Sequence, residues 1–338
     1  MPDKPLVLVT GLSGYCAASI ARRFLDAGYP VRGTVRKQQQ AERWREHEPR
    51  VECVVVPNIT TLGAFKEAMK GVGVLVHTAS PFFYGWKDAE KDMLLPALNG
   101  TLEALRSAHS SGTVTRVVLT SSFAAMSDYR AGPNPGKTYS EKDWCPLTWE
   151  EAVNEKEDQL LVYVASKAFA EKAAWKFVEE EKSKFTLTTI CPVYIMGRSL
   201  QPLDSPSDLA TSPAWLRDFL DRSDLPPAPL PAMIDVSDVA LAHFRAVERA
   251  EVAAGQRYLL VGAELSSSEI AIVAREAFPE RKERFPEPGG EKGWEVEPHF
   301  GWDVSKAEKE LGMVWTPVTE TVRSGLEQIF ELEEKAKR

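Results

Sequence analysis

Strand-length apolar runs alternating with stretches of helical periodicity most narrow what this chain can fold into. Residues 6–10 (LVLVT), 31–35, 51–56, 72–77 and 114–120 are short and valine-rich, and the segments between them carry apolar side chains every three or four positions. The first such segment, 14–27, sets Ala17, Ile20, Ala21, Phe24 and Leu25 on one face and stops at Gly28, where a helix C-terminal glycine belongs. Helices are also predicted over about 61–70, 89–110 and 158–182, with a further strand at 186–191. Strands separated by helices predict βαβ units and a parallel sheet.

The pattern breaks after Pro192. Residues 198–232 hold seven prolines and little periodicity, and 284–300 are rich in Pro, Gly and Trp. Between them 234–249 reads as a helix and 257–261 as a strand, and 316–334 reads as a closing helix. The expected organisation is α/β: a doubly wound parallel sheet from residues 1–192, and a smaller irregular lobe from 193–338 whose segment at about 234–262 returns to the first domain. In open sheets of this kind ligands bind beyond the C-terminal ends of the strands.

Composition narrows the function. The chain has 338 residues, 43% hydrophobic and 27% charged, and a formal net charge of −8. That length buries roughly three quarters of the unfolded surface, so no staples are needed. The acidic balance without a basic run argues against nucleic acid or an anionic membrane as partner. Cys16, Cys53, Cys145 and Cys191 lie far apart, and the five histidines show no metal-ligand spacing, so neither a disulfide framework nor a metal site is expected. The apolar run near the N-terminus is too short for a signal-peptide core, and no run approaches the ~18 apolar residues of a membrane span. The expectation is a cytoplasmic protein, monomer or homodimer, with a small-molecule partner.

The turn after the first strand reads Thr10-Gly11-Leu12-Ser13-Gly14-Tyr15-Cys16-Ala17. Gly11 permits a tight turn, Gly14 lets backbone amides of Ser13, Tyr15 and Cys16 approach a pyrophosphate, and Ala17 lets helix and strand pack closely. The helix N-terminus adds unpaired N–H groups and a partial positive charge. The pattern, G-x-x-G-x-x-A, is looser than G-x-G-x-x-G, but its place after the first strand predicts a Rossmann-type dinucleotide site. The second strand ends in Arg36-Lys37, where a site for the unphosphorylated dinucleotide carries Asp or Glu. Two cations match a 2′-phosphate, which Arg binds bidentately, so the cofactor is expected to be NADPH.

Tyr163-Val164-Ala165-Ser166-Lys167 places a phenol and an ammonium at i and i+4, on one helix face. At ~5 Å and an effective dielectric of ~20 the charge favours the phenolate by roughly 3 kcal/mol, about 2 pKa units. That suits a general acid working near neutrality. Thr120-Ser121-Ser122 puts hydroxyls at the end of the fifth strand, and Asn99-Gly100 interrupts a helix with two poor helix formers.

In this order and spacing, Gly11, Gly14, Ala17, Asn99, Ser122 and Tyr163-x-x-x-Lys167 resemble an extended short-chain dehydrogenase/reductase. Within it the chain is similar to the dihydroflavonol-4-reductase-like group, and most of all to fungal NADPH-dependent aldehyde and ketone reductases, aldehyde reductase II among them. Supporting strings are 77–82 (HTASPF), 119–122 (LTSS), 167–175 (KAFAEKAAW), 192–194 (PVY) and 234–240 (IDVSDVA), and the likeness spans nearly the whole chain. The resemblance implies that Tyr163 protonates a carbonyl oxygen, Ser122 holds that oxygen, Lys167 also holds the nicotinamide ribose, and Asn99 positions a water. It implies that Thr78, Ala79, Ser80 and Thr120 line the cofactor and that Pro192 and Val193 lie beside the nicotinamide. Many members of the family it resembles carry Asp-Leu after the third strand. This chain has Asn58-Ile59, and the Asn58 carbonyl oxygen is expected to meet the adenine amino group.

Phe82, Phe83 and Tyr84 follow the fourth strand, Phe123 follows Ser122, Tyr194 follows the sixth strand, and Trp215 lies in the proline-rich insert. Aromatics at strand ends predict an apolar pocket for a hydrophobic carbonyl, ketoesters included. A nucleotide-sugar epimerase or dehydratase would want an acidic residue at Arg36. A coenzyme A thioester reductase finds no second cationic cluster, and a non-enzymatic NADP sensor would have no need of the Tyr163/Lys167 pair.

Overall fold

Each valine-rich run forms a strand. The computed structural model describes residues 4–80, 85–288 and 298–337. Its first half runs β1 (Leu6–Thr10), α1 (Tyr15–Asp26), β2 (Val31–Val35), α2 (Gln38–His47), β3 (Val51–Val55), β4 (Val72–His77), α3 (Leu95–Ser111), β5 (Arg116–Thr120), β6 (Thr138–Tyr139), α4 (Trp149–Asn154), α5 (Gln159–Glu180) and β7 (Thr186–Pro192). The second half runs β8 (Tyr194–Met196), α6 (Thr211–Ala214), β9 (Ala232–Asp235), α7 (Val236–Glu248), α8 (Ala250–Ala253), β10 (Arg257–Leu260), β11 (Ala263–Glu264), α9 (Ser267–Ala277), β12 (Gly301–Trp302) and α10 (Val318–Ala336).

Seven strands make the central sheet, in the order β10-β7-β5-β4-β1-β2-β3. Every pairing in it is parallel. The order reverses at β1/β4, which is where a doubly wound sheet opens a crevice for a ligand. Both faces of the interior strands are covered, which explains the continuous apolar run of β1 rather than an alternating one. Val7 and Val9 of β1 join the core beneath α1 and α7, whereas Leu8 joins Leu75, Val117 and Leu119 on the opposite face.

The chain leaves this sheet after β7 and comes back to it. β10 pairs with β7 from Arg257↔Thr189 to Leu260↔Pro192, and Ala240, Ala246 and Val247 of α7 share a core with Ala17, Ile20 and Phe24 of α1. The remaining C-terminal residues close a second core, in which Trp215, Leu216 and Phe219 meet Ile270 of α9 and Leu326, Ile329 and Phe330 of α10. A small sheet, β11-β9-β8, joins the two parts.

Two expected helices differ. Residues 61–70 form successive turns rather than a helix. Gly63 has a φ of +77°, and the N–H groups of Ala64, Lys66 and Lys70 donate to the carbonyls three residues earlier (2.9, 3.0 and 3.3 Å). The helix expected from 234 starts at Val236, because Ile234 and Asp235 are strand residues paired with Ile195 and Met196. Asp235 caps that helix, accepting from Ser237 N–H at 2.7 Å.

Candidate active site

The cofactor end is built by the β1–α1 turn lying on the end of β4. Gly11 has a φ of +67°, and a Cβ on it would stand 3.1 Å from both Ala79 Cα and Cβ, so no larger residue fits. Gly14 N–H donates to Gly11 O at 2.8 Å and closes the turn. No side chain caps α1, so its first N–H groups remain available to an anion. Ser13, Cys16, Thr78, Ala79 and Ser80 are half-buried around this turn, while the Tyr15 phenol is spent elsewhere, donating to Gly197 O at 2.7 Å.

Thr10 fixes the β4 side of the turn. Its hydroxyl accepts from the N–H groups of Thr78 and Ala79, both at 3.1 Å, and lies 2.9 Å from His77 Nδ1. With both lone pairs taken it donates to Nδ1, which places the imidazole proton on Nε2. Burial, followed by the nearby Lys167 charge, pushes His77 down to about 3, so it stays neutral.

Arg36 and Lys37 leave β2 beside the turn with exposed side chains, and their backbone N–H groups donate to Gln40 Oε1 at 3.1 and 3.2 Å. Asn58 departs from its expected use. Its Oδ1 already accepts from Thr60 N–H at 3.0 Å and Thr60 Oγ1 at 2.8 Å, so both lone pairs are taken and the oxygen is not available to an adenine amino group.

Of the catalytic candidates, Tyr163 and Lys167 lie on α5 and Ser122 follows β5. Lys167 Nζ lies 5.6 Å from the centroid of the Tyr163 ring. Burial pushes Lys167 down to about 8, an effect that negative charge on the neighbouring Cys16 opposes. Burial pushes the Cys16 thiol up to about 12, and the Lys167 charge partly offsets that. Lys167 therefore acts electrostatically on both Cys16 and His77, which flank the glycine turn. Of the two serines, Ser121 is buried and donates to Glu171 Oε2 at 2.5 Å. Ser122 is half-buried and accepts from Ala124 N–H at 3.2 Å, which leaves its own proton to donate. Asn99 is half-buried within α3, which runs unbroken through Asn99 and Gly100. Gly100 is there for packing: a Cβ on it would lie 2.7 Å from Ile59 Cδ1.

The remaining candidates take the following places. The Thr120 hydroxyl meets His243 Nε2 at 2.7 Å, while His243 Nδ1 donates to Val239 O at 2.8 Å. Pro192 is buried, and Val193 is a core residue whose N–H donates to Leu260 O at 3.1 Å. Phe123 is 4% exposed and packs its ring against Tyr139 and Phe300 at 5.2 and 5.1 Å, so it is a core residue rather than a pocket wall. Trp215 is 7% exposed, lies 4.9 Å from Phe219, and donates from Nε1 to Pro227 O at 3.2 Å in the core of the second lobe. Tyr194 is half-buried, its ring 6.2 Å from Trp215. Phe82, Phe83 and Tyr84 lie outside the described residues.

Sequence reasoning missed Gln201, whose side-chain amide donates to Ser13 O at 2.6 Å, and Glu171, which anchors Ser121. No local pattern announces Gln201, which reaches the turn across 188 positions of sequence. Among the described residues no group of three or more His, Cys, Asp or Glu is placed to hold one metal ion, and no helix is long and apolar enough to cross a membrane.

Comparison with known proteins places this geometry. A model of the NAD dependent epimerase/dehydratase family matches residues 7–262. The chain is 37% identical over 339 residues to a ketoreductase of Aspergillus niger, covering 95% of this chain and 98% of that protein. It is 35% identical over 344 residues to the NADPH-dependent methylglyoxal reductase of Saccharomyces cerevisiae, covering 97% and 98%. The crystal structure of the yeast methylglyoxal/isovaleraldehyde reductase complexed with NADPH superimposes with a TM-score of 0.90 at 34% identity, covering 98% of this chain and 99% of that one. The seven-stranded sheet, the glycine turn and these likenesses agree: the chain belongs to the NAD dependent epimerase/dehydratase family of extended short-chain dehydrogenases/reductases.

Proposed function

We propose that this protein is an NADPH-dependent carbonyl reductase that converts aldehydes and ketones, ketoesters among them, to alcohols. The observation that carries this reading is the place of Lys167: its ammonium lies over the Tyr163 ring and acts on Cys16 and His77 beside the glycine turn. This supports a reading in which proton donor and dinucleotide cradle share one crevice.

The residues present fit the cofactor. The glycine turn offers uncapped N–H groups where a pyrophosphate would lie, and Gly11 leaves no Cβ in its way. Arg36 and Lys37 offer two exposed cations where a 2′-phosphate would lie. When bound, the reduced nicotinamide supplies hydride to the carbonyl carbon.

This chain's residues serve the oxygen. Ser122 donates a hydrogen bond to it and orients the carbonyl. Tyr163 Oη transfers its proton as negative charge develops there, and the Lys167 ammonium favours the phenolate that remains. Asn99 places a water that returns the proton. The substrate side is the lobe built mainly from 193–338, with 234–262 belonging to the cofactor domain and Tyr194 at the boundary. The name of a relative as a methylglyoxal reductase and of another as a ketoreductase supports small carbonyl substrates.

The test is a panel of aldehydes, α- and β-ketoesters and aryl ketones, with loss of NADPH absorbance as readout and NADH as control. Carbonyl-dependent oxidation of NADPH, and much slower oxidation of NADH, is the expected result. If no member of the panel accelerates NADPH oxidation, the reading fails.

A further inference from the structure

Behind Ser121, donors from several elements converge on one carboxylate. Glu171 lies on α5, one turn beyond Lys167 and two beyond Tyr163, and is 1% exposed. Its Oε1 accepts from Arg257 Nε at 2.7 Å, Thr189 Oγ1 at 2.8 Å and Trp175 Nε1 at 3.2 Å. Its Oε2 accepts from Ser121 Oγ at 2.5 Å and Arg257 Nη2 at 3.3 Å, with Cys191 Sγ at 3.8 Å. The far edge of Arg257 donates from Nη1 to Glu141 O at 2.7 Å and Asp143 O at 2.8 Å, and its guanidinium sits 3.6 Å from the centre of the Trp144 ring.

Stability alone is a weak reason for such a node. Desolvating two charges costs several kcal/mol per ion, and well-packed apolar residues often serve a core as well. What the node does is geometric. Ser121 comes from the end of β5, Thr189 from β7 and Arg257 from β10, so one carboxylate fixes α5 against three strands of the sheet. Ser122 has extended backbone, with φ −161° and ψ 154°, and successive side chains of extended chain point to opposite sides. Anchoring Ser121 inward therefore turns Ser122 toward the crevice.

We propose that Glu171 is a positioning residue: through Ser121 it sets where the Ser122 hydroxyl stands relative to Tyr163 and Lys167, which ride on the same helix as Glu171. This rests on the reductase reading, in which Ser122 and Tyr163 must meet one carbonyl oxygen. A misplacement of ~1 Å in such a constellation costs on the order of 100-fold in rate.

Ser121→Ala removes one donor and leaves the Glu171–Arg257 pair intact. With the carbonyl substrate that the wild type turns over fastest, kcat is expected to fall about 10-fold or more. The NADPH dissociation constant and the melting temperature are expected to stay near wild type, and Ser121→Thr, which keeps the hydroxyl, is expected to recover most of the rate. Glu171→Gln combined with Arg257→Gln gives a second reading: a folded variant that binds NADPH and has lost kcat supports positioning. An unchanged kcat in Ser121→Ala overturns the proposal, as does a loss of NADPH affinity equal to the loss in kcat, or failure of the threonine to recover activity. A wild type without turnover on any carbonyl overturns the reductase reading and this proposal together, whereas an active wild type with an indifferent Ser121 overturns only the proposal.

Discussion

Gln201 reaches out of the proline-rich segment and donates its side-chain amide to the carbonyl of Ser13 at 2.6 Å, in the middle of the glycine turn. The segment around it is held in turn. Arg43 of α2 pairs with Asp204 at 2.5 Å, and Gln328 of α10 exchanges two hydrogen bonds with the Ser199 backbone, both at 2.7 Å. The glycine turn is thus braced from the second lobe. Gln201→Leu removes the brace and leaves Ser13 O short of a donor. A net hydrogen bond is worth about 0.5–1.5 kcal/mol, so NADPH affinity is expected to fall roughly 2- to 10-fold in a fluorescence titration.

Tyr163→Phe removes the phenolic hydroxyl and keeps the ring. General acid catalysis contributes about 100- to 10,000-fold, so carbonyl-dependent NADPH oxidation is expected to drop by that order while NADPH binding holds. Turnover near the wild-type rate would remove Tyr163 as the acid.

Arg36→Asp places an acidic group where the proposed reading puts the 2′-phosphate. Loss of one charge-assisted contact costs about 1.5–3 kcal/mol, so NADPH is expected to bind roughly 10- to 100-fold more weakly, with NADH little affected. Equal losses for both dinucleotides, measured side by side, would show that Arg36 reads no phosphate.

Acid is expected to loosen the fold through two buried histidines. Burial pushes His243 down to about 4 and His77 to about 3, from an ordinary value of 6.5. Between those values the unfolded chain holds more protons than the folded one, so stability is fully present above about pH 6.5 and lost as pH falls. Asp238, raised by burial to about 6, and Glu141 and Glu269, raised by the same cause, work the other way over part of that range, whereas Glu48 and Glu333, held low by hydrogen bonds from Arg50 and Arg284, work with the histidines. For His243 the effect is on the order of 3 kcal/mol at most. Melting temperatures from pH 7 to 4 should fall, and His243→Gln, less stable at pH 7, should show a shallower slope.

How much of this was legible follows from where the signals are local. Strand identity in β1, β2 and β4, the turn at Gly11 and the Tyr163/Lys167 face depend on residues a few positions apart, and the structure has them there. Residues 61–70 have helical spacing but also Gly63, whose N–H donates to the distant Glu103 carboxylate at 2.9 Å, and turns replace the helix. Asn58 carried a readable warning, since Asn followed two residues later by Thr favours an Asx turn that occupies its oxygen. Phe123 carried none. Its partners Tyr139 and Phe300 come from remote parts of the chain, and an aromatic at a strand end looks the same in sequence whether it lines a pocket or fills a core.

The return of the chain to its first sheet has a consequence for anyone dissecting it. A fragment ending at Pro192 would forfeit β10, turning β7 from an interior strand into an unprotected margin, and would strip α7 from the apolar flank of α1. Such a fragment is expected to aggregate rather than to survive as a freestanding nucleotide binder. The two lobes are interleaved along one polypeptide, so neither can be grafted, swapped or expressed as a detachable module without cutting across the other.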